Sequence, residues 1–180
     1  MLKQVNKRNY PQGKYQSKYG DRGYSLSELM ITLIIVGVIA AIASPSLLGL
    51  LSRYRLEGAL QQLLGAINET QRLAMLRGKS CRINVHPNTN KITANAGCLL
   101  SDRQINSEIN IRSNFPGTTP NITFSYKGST TRMGTIVLSS NYTDSQKCFV
   151  IALGTGIKRV GNYNGSKTGS VSANNCQTIE

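Results

Sequence analysis

The chain has 180 residues, with 21 Lys and Arg against 8 Asp and Glu and a net charge of +13. That length holds one ordinary domain. A single histidine, no tryptophan and few carboxylates exclude chemistry that needs a histidine cluster or a dense acidic metal site.

Residues 1–23 are polar and basic: Lys3, Lys7, Arg8, Lys14, Lys18 and Arg22 face Asp21 alone. No apolar period runs through them, and such a composition cannot bury a core. Next comes Leu29 to Leu51, 23 residues without a charge. As a helix this run measures about 34 Å, enough to cross a bilayer. It is the one segment long enough to do so, which excludes a polytopic membrane protein. Basic residues packed directly before it keep that side in the cytoplasm, so the remainder is exported. Ala41-Ile42-Ala43 also fits a signal-peptidase site. The helical pattern crosses it, however: apolar residues continue at Leu47, Leu50, Leu51, Tyr54, Leu56, Leu60, Leu63, Leu64, Ile67, Leu73, Ala74 and Leu76. Spacings of three and four mark one face of a single long helix.

Beyond Gly78 the period changes to two. Cys81 to His86 and Lys91 to Ala96 read as strands joined by the turn residues Pro87-Asn88-Thr89-Asn90. Further strands are expected over 121–124, 134–138, 148–152 and 156–160. The fold class is therefore α+β, a long N-terminal membrane-spanning helix packed on antiparallel sheet. Cys81, Cys98, Cys148 and Cys176 show no CxxC spacing and have no nearby histidine, and in an exported domain they read as disulfides. The hairpin places Cys81 and Cys98 at its open end, which leaves Cys148 for Cys176 and pins the tail from Gly161 to Asn175. Four cysteines allow three pairings, and spacing leaves the other two open.

Glu28 is the odd residue, since a carboxylate at the head of a spanning helix needs a partner. Gly23-Tyr24-Ser25-Leu26-Ser27-Glu28, after a basic leader and before an apolar run, resembles the type III signal of type IV pilins and pseudopilins. The resemblance implies cleavage after Gly23 by a prepilin peptidase and methylation of the new N-terminus at Tyr24. Glu28 then stands at mature position five, and Pro45 matches the proline at which pilin helices bend or loosen. Tyr24 stands where phenylalanine is usual and Ser27 where an aliphatic residue is common. The implied organisation is a cleaved leader over 1–23, a methylation motif and filament-core helix over 24–51, and an exported domain over 52–180. Glu28 is expected to pair with the Tyr24 amine of its own or a neighbouring subunit.

The stretch Leu56 to Arg77, the segment Asn121 to Phe124, Gly128 and Gly134 to Leu138 together resemble the H-type pseudopilin (GspH/FimT) class. That resemblance implies a minor, non-enzymatic subunit of a type IV pilus. Its partners would be other pilins or pseudopilins, the prepilin peptidase, the inner-membrane assembly platform and membrane lipid. A GspH-like pseudopilin of the type II secretion system is the alternative, and a generic membrane-anchored binding domain the second. Some members of the pilus branch bind double-stranded DNA through Gly-Arg-x-Arg. Gly156-Ile157-Lys158-Arg159 keeps the second arginine and replaces the first, so Lys158 and Arg159 are the DNA-contact candidates, in a domain with 15 bases and 6 acids.

Gly154-Thr155-Gly156 and Gly165-Ser166-Lys167-Thr168 lack the third glycine or the strand-to-helix context of nucleotide loops and read as turns. His86 has no acid or nucleophile at a telling spacing. No catalytic residue, cofactor or metal ligand is expected.

Overall fold

The computed structural model describes residues 23–178, without the side chains of 42–46. Of the leader expected over 1–23, residues 1–22 thus lie outside the described residues, as does the side chain of Pro45. The chain divides into two compact units, 1–42 and 43–180. One helix, α1, is assigned over Leu26–Arg77. Among the described residues no helix is long and apolar enough to cross a membrane; residues 42–46 fall inside the uncharged run.

In the first unit the apolar side chains point outward on every side, Leu29, Met30, Ile31, Leu33, Ile34, Ile35 and Val36 among them. A helix apolar all round is built to be covered, by lipid or by other helices. In the second unit the helix is two-faced. Leu56, Ala59, Leu60, Leu63, Ala66, Ile67, Thr70 and Ala74 are buried, at the three-and-four spacing of one stripe. The helix ends where Gly78 takes φ 62°. Lys79 N–H donates to the Ala74 carbonyl at 3.3 Å and Gly78 N–H to Met75 at 3.4 Å. That pair of bonds is a Schellman cap, and it favours glycine because the left-handed conformation penalises a Cβ.

Among the described residues nine strands follow: β1 (Cys81–His86), β2 (Lys91–Ala94), β3 (Arg103–Gln104), β4 (Ile109–Ser113), β5 (Asn121–Phe124), β6 (Gly134–Ser140), β7 (Thr143–Ile151), β8 (Lys158–Tyr163) and β9 (Cys176–Thr178). They form two antiparallel sheets, ordered β3-β2-β1-β5 and β4-β6-β7-β8-β9. The expected helix on antiparallel sheet is what the structure has, but the sequence reading misses β3, β4 and β9. Both sheets contribute to the core that the helix stripe completes, with Ile83, Ile122 and Phe124 from one and Ile111, Ile136, Leu138 and Phe149 from the other.

Two devices fix the ends of the larger sheet. Asn90, at φ 51° in the β1–β2 turn, donates from Nδ2 to the carbonyls of Asn106 (3.1 Å) and Ile109 (2.9 Å) and so anchors the start of β4. At the other edge, Cys148 and Cys176 are bonded across 5.8 Å between Cα atoms, tying β7 to β9. Cys81 and Cys98 are bonded across 5.5 Å. The tail is therefore strand through Tyr163, then a loop, then β9, where the sequence reading has loop from Gly161. Arg112 holds that loop down, donating to the Ser166 and Gly169 carbonyls at 2.9 Å each and to Gln146 Oε1 at 2.7 Å.

Candidate processing and assembly site

Residues 23–25 precede α1 without regular structure, and helix begins at Leu26. The Ser25 carbonyl accepts the first helical bond, from Leu29 N–H at 3.1 Å, which makes Ser25 the N-cap and Glu28 the third helical residue. Ser at the N-cap and Glu three residues on is the capping-box spacing. That signal is present in the sequence and is passed over when Glu28 is read only as an assembly residue. Ser25 and Ser27 hydroxyls lie 2.8 Å apart. A carboxylate in the first turn also meets the positive end of the helix dipole.

Gly23 is exposed, and a Cβ built there would meet nothing within 4 Å. No described residue therefore crowds position 23. Tyr24 is exposed with its ring in the open, and Glu28 is exposed beside it in sequence. The backbone at Pro45 is helical.

The basic segment at the other end of the chain divides its two candidates. Lys158 and Arg159 open β8, where Lys158 pairs with Ile151 and Arg159 with Val150. Lys158 turns back onto α1: its Nζ donates to Asn68 Oδ1 and Gln71 Oε1. Gln71 in turn donates from Nε2 to the Gly128 carbonyl at 2.7 Å. Burial holds the Lys158 ammonium below its ordinary value. Arg159 stays exposed and donates from Nη2 to the Ala173 carbonyl at 2.8 Å. The structure thus separates a lysine engaged by the protein from an arginine that faces outward.

The sign of the Lys158 effect is fixed by linkage. The unfolded chain holds this proton more tightly than the folded one, so stability rises as pH climbs from the folded pKa toward the ordinary value of 10.5. Denaturation at a series of alkaline pH values will show that rise in the parent protein and lose it in Lys158→Met.

The carboxylates of the second unit are all engaged, among the described residues: Glu57 with Lys147 (2.9 Å), Glu69 with Arg103 (3.0 Å), Asp102 with Lys91 (2.8 Å), Asp144 with Lys167 (3.1 Å) and Glu108 with Arg55. The remaining arginines and lysines there have no carboxylate partner among the described residues. No group of three or more His, Cys, Asp or Glu among the described residues could hold a metal ion.

The family model described as the prokaryotic N-terminal methylation motif matches residues 18–44. No curated relative matches the chain. Among solved structures, the type IV minor pilin FimU of Pseudomonas aeruginosa is similar, with a TM-score of 0.50 and 14% identity over 60% of this chain and 89% of that one. The minor pseudopilin EpsH of the Vibrio cholerae type 2 secretion system gives a TM-score of 0.44 and 13% identity, over 61% of this chain and 94% of that one.

Proposed function

We propose that this chain, a member of the type IV pilin and pseudopilin superfamily with the fold of the GspH/FimT class, is a minor subunit of a pilus-type filament. A prepilin peptidase cuts it after Gly23, and Tyr24 becomes the methylated N-terminus. Residues 24–51 anchor it in the bacterial inner membrane and enter the filament core, while the domain from residue 52 lies outside the cytoplasm. The subunit acts by assembly and not by catalysis, with other pilins and the inner-membrane platform as its partners.

One observation carries this reading: a helix apolar on every side that opens on a single carboxylate, Glu28, three residues after its N-cap. Such a helix is insoluble alone and is covered either by lipid or by its neighbours. No described residue packs against Gly23, which leaves it open to an enzyme that reads it. Cutting there creates a cation at Tyr24, and Glu28 is the nearest carboxylate in sequence. Pro45 brings no N–H to its helix, a weak point at which the anchor can bend as the subunit enters the filament.

The pilus reading is placed ahead of the secretion pseudopilus because the exported domain leaves most of its bases without a carboxylate, which suits a filament that meets polyanions such as double-stranded DNA. Lys158 is taken up by α1, so Arg159 is the cation of that segment left to make such contact. A clean deletion in a naturally competent host, scored for transformation and for export of folded enzymes, tests the choice. The reading predicts that transformation falls by orders of magnitude, is rescued by the wild-type gene, and that export is unchanged. Lost export with normal transformation would assign the protein to the secretion machine instead.

A further inference from the structure

The outer face of the larger sheet is only half covered. On β6, Ile136 and Leu138 point into the main core, while Val137 lies on the opposite face in a small cluster with Cys148, Tyr163 and Cys176. The loop held by Arg112 covers the Val137 end of that face. The Thr135 end is left open as a groove of about 520 Å³. Its floor is a row across the sheet: the Asn114 backbone pairs with Thr135, and Thr135 stands opposite Val150; Arg159, next in register after Val150, lies outside the groove's lining. Its walls are Pro116, Met133, Leu153 and Ala173.

Three features of the groove call for an occupant. Thr135, one of the residues that line the groove, is 0% exposed, yet its hydroxyl has no hydrogen-bond partner. A buried hydroxyl without a partner is unfavourable and is relieved by a donor or acceptor placed in the groove. Met133 and Leu153, which line the groove, are 65% and 58% exposed, so the rim is apolar. The cations are Arg132, which lines an adjoining hollow formed with the same Pro116, Met133 and Leu153, and Arg159, bonded to the wall at Ala173. No carboxylate lines either hollow.

We propose that this groove seats an apolar peptide segment bearing a carboxylate, contributed by a different subunit of the same filament. A polyphosphate would satisfy the two arginines but leave the apolar walls and the Thr135 hydroxyl uncovered. A second copy of this domain is disfavoured by its own charges, because each described carboxylate of the 43–180 unit is already held by a base. An extended segment of another subunit supplies all three requirements: side chains for the walls, backbone polar groups for Thr135, and a carboxylate for Arg132 and Arg159. This inference rests on the filament reading above.

The test uses the full-length protein in its native cells, with a photo-crosslinking residue in place of Met133 and, as control, in place of the exposed Leu100. Irradiation at position 133 is expected to give an adduct with a different filament subunit, mapped to an apolar segment containing Asp or Glu. Combining Arg132→Glu with Arg159→Glu is expected to lower that adduct about tenfold or more, and reversing the partner carboxylate to lysine to restore it. Thr135→Val, nearly the same in shape, is expected to lower it about fivefold. Non-reducing gels establish that both disulfides persist in each variant. Adducts with nucleic acid, with a second copy of this chain, or of equal yield in the charge-reversed variant would overturn the proposal. So would no adduct from protein that is correctly cleaved and present in sheared filaments. An uncut N-terminus in the same sample would instead overturn the filament reading on which the proposal rests.

Discussion

Glu28→Ala is expected to leave cleavage after Gly23 intact and to lower the amount of protein in sheared filaments by about 10²–10⁴-fold. The magnitude follows from leaving one member of a buried ion pair alone, about 3–5 kcal/mol. On the proposed function, the stranded group would be the Tyr24 amine that cleavage creates and the filament core takes out of water. A second role must be separated from this one. Glu28 lies three residues after the N-cap Ser25, so its loss also weakens the start of the helix. Glu28→Gln resolves the two, since glutamine can still close a capping box but cannot neutralise an amine. The pairing account predicts that Gln fails as Ala does. Normal incorporation of Glu28→Gln would reduce the residue to a helix cap.

Gly161→Val is expected to destabilise the exported domain by about 3 kcal/mol, lowering its melting temperature by about 10 °C. In β8, Gly161 stands between Cys148 of β7 and Thr178 of β9. A Cβ there would lie 1.7 Å from the Gln177 carbonyl oxygen and 2.5 Å from its carbon. Both are backbone atoms, so no side-chain rotation gives way and β9 must leave the sheet. The Cys148–Cys176 bond would still tether the chain, but the cluster of Val137, Cys148, Tyr163 and Cys176 would open. Thermal unfolding and the rate at which reductant breaks the second disulfide measure the two consequences. Gly58→Ala is the control: it sits in α1 with nothing within 4 Å of a new Cβ, so it is expected to be neutral or slightly stabilising.

The contrast between these two sites shows what the sequence made legible. The helix stripe could be read because its spacing of three and four persists from Leu56 to Ala74, and the first hairpin because Cys81 to His86 and Lys91 to Ala94 alternate on either side of a Pro-Asn turn. The short strands could not. β9 is Cys-Gln-Thr with one buried residue, and β4 offers only Ile109 and Ile111 as buried apolar anchors. Their places are set by partners distant in sequence: the Asn90 amide for β4, the disulfide and the gap beside Gly161 for β9.

The site divides in the same way. Gly23, Tyr24 and Glu28 announce themselves through fixed offsets within a few residues. Lys158 and Arg159 look alike in sequence, and only tertiary structure sends one to Asn68 and Gln71 and leaves the other outside. The groove at Thr135 has no local signal. It exists because the tail covers half a sheet face and stops.

The account turns on whether the chain is processed as a prepilin. The most direct measurement is the intact mass and N-terminal peptide of the full-length protein, extracted from membranes of its native host and of a strain lacking the prepilin peptidase. The account predicts a chain that begins at Tyr24 and carries one methyl group on its amine in the first strain, and an unmethylated chain retaining residues 1–23 in the second. Retention of residues 1–23 in both strains, with an unmethylated N-terminus, would contradict it and leave a simple membrane-anchored domain.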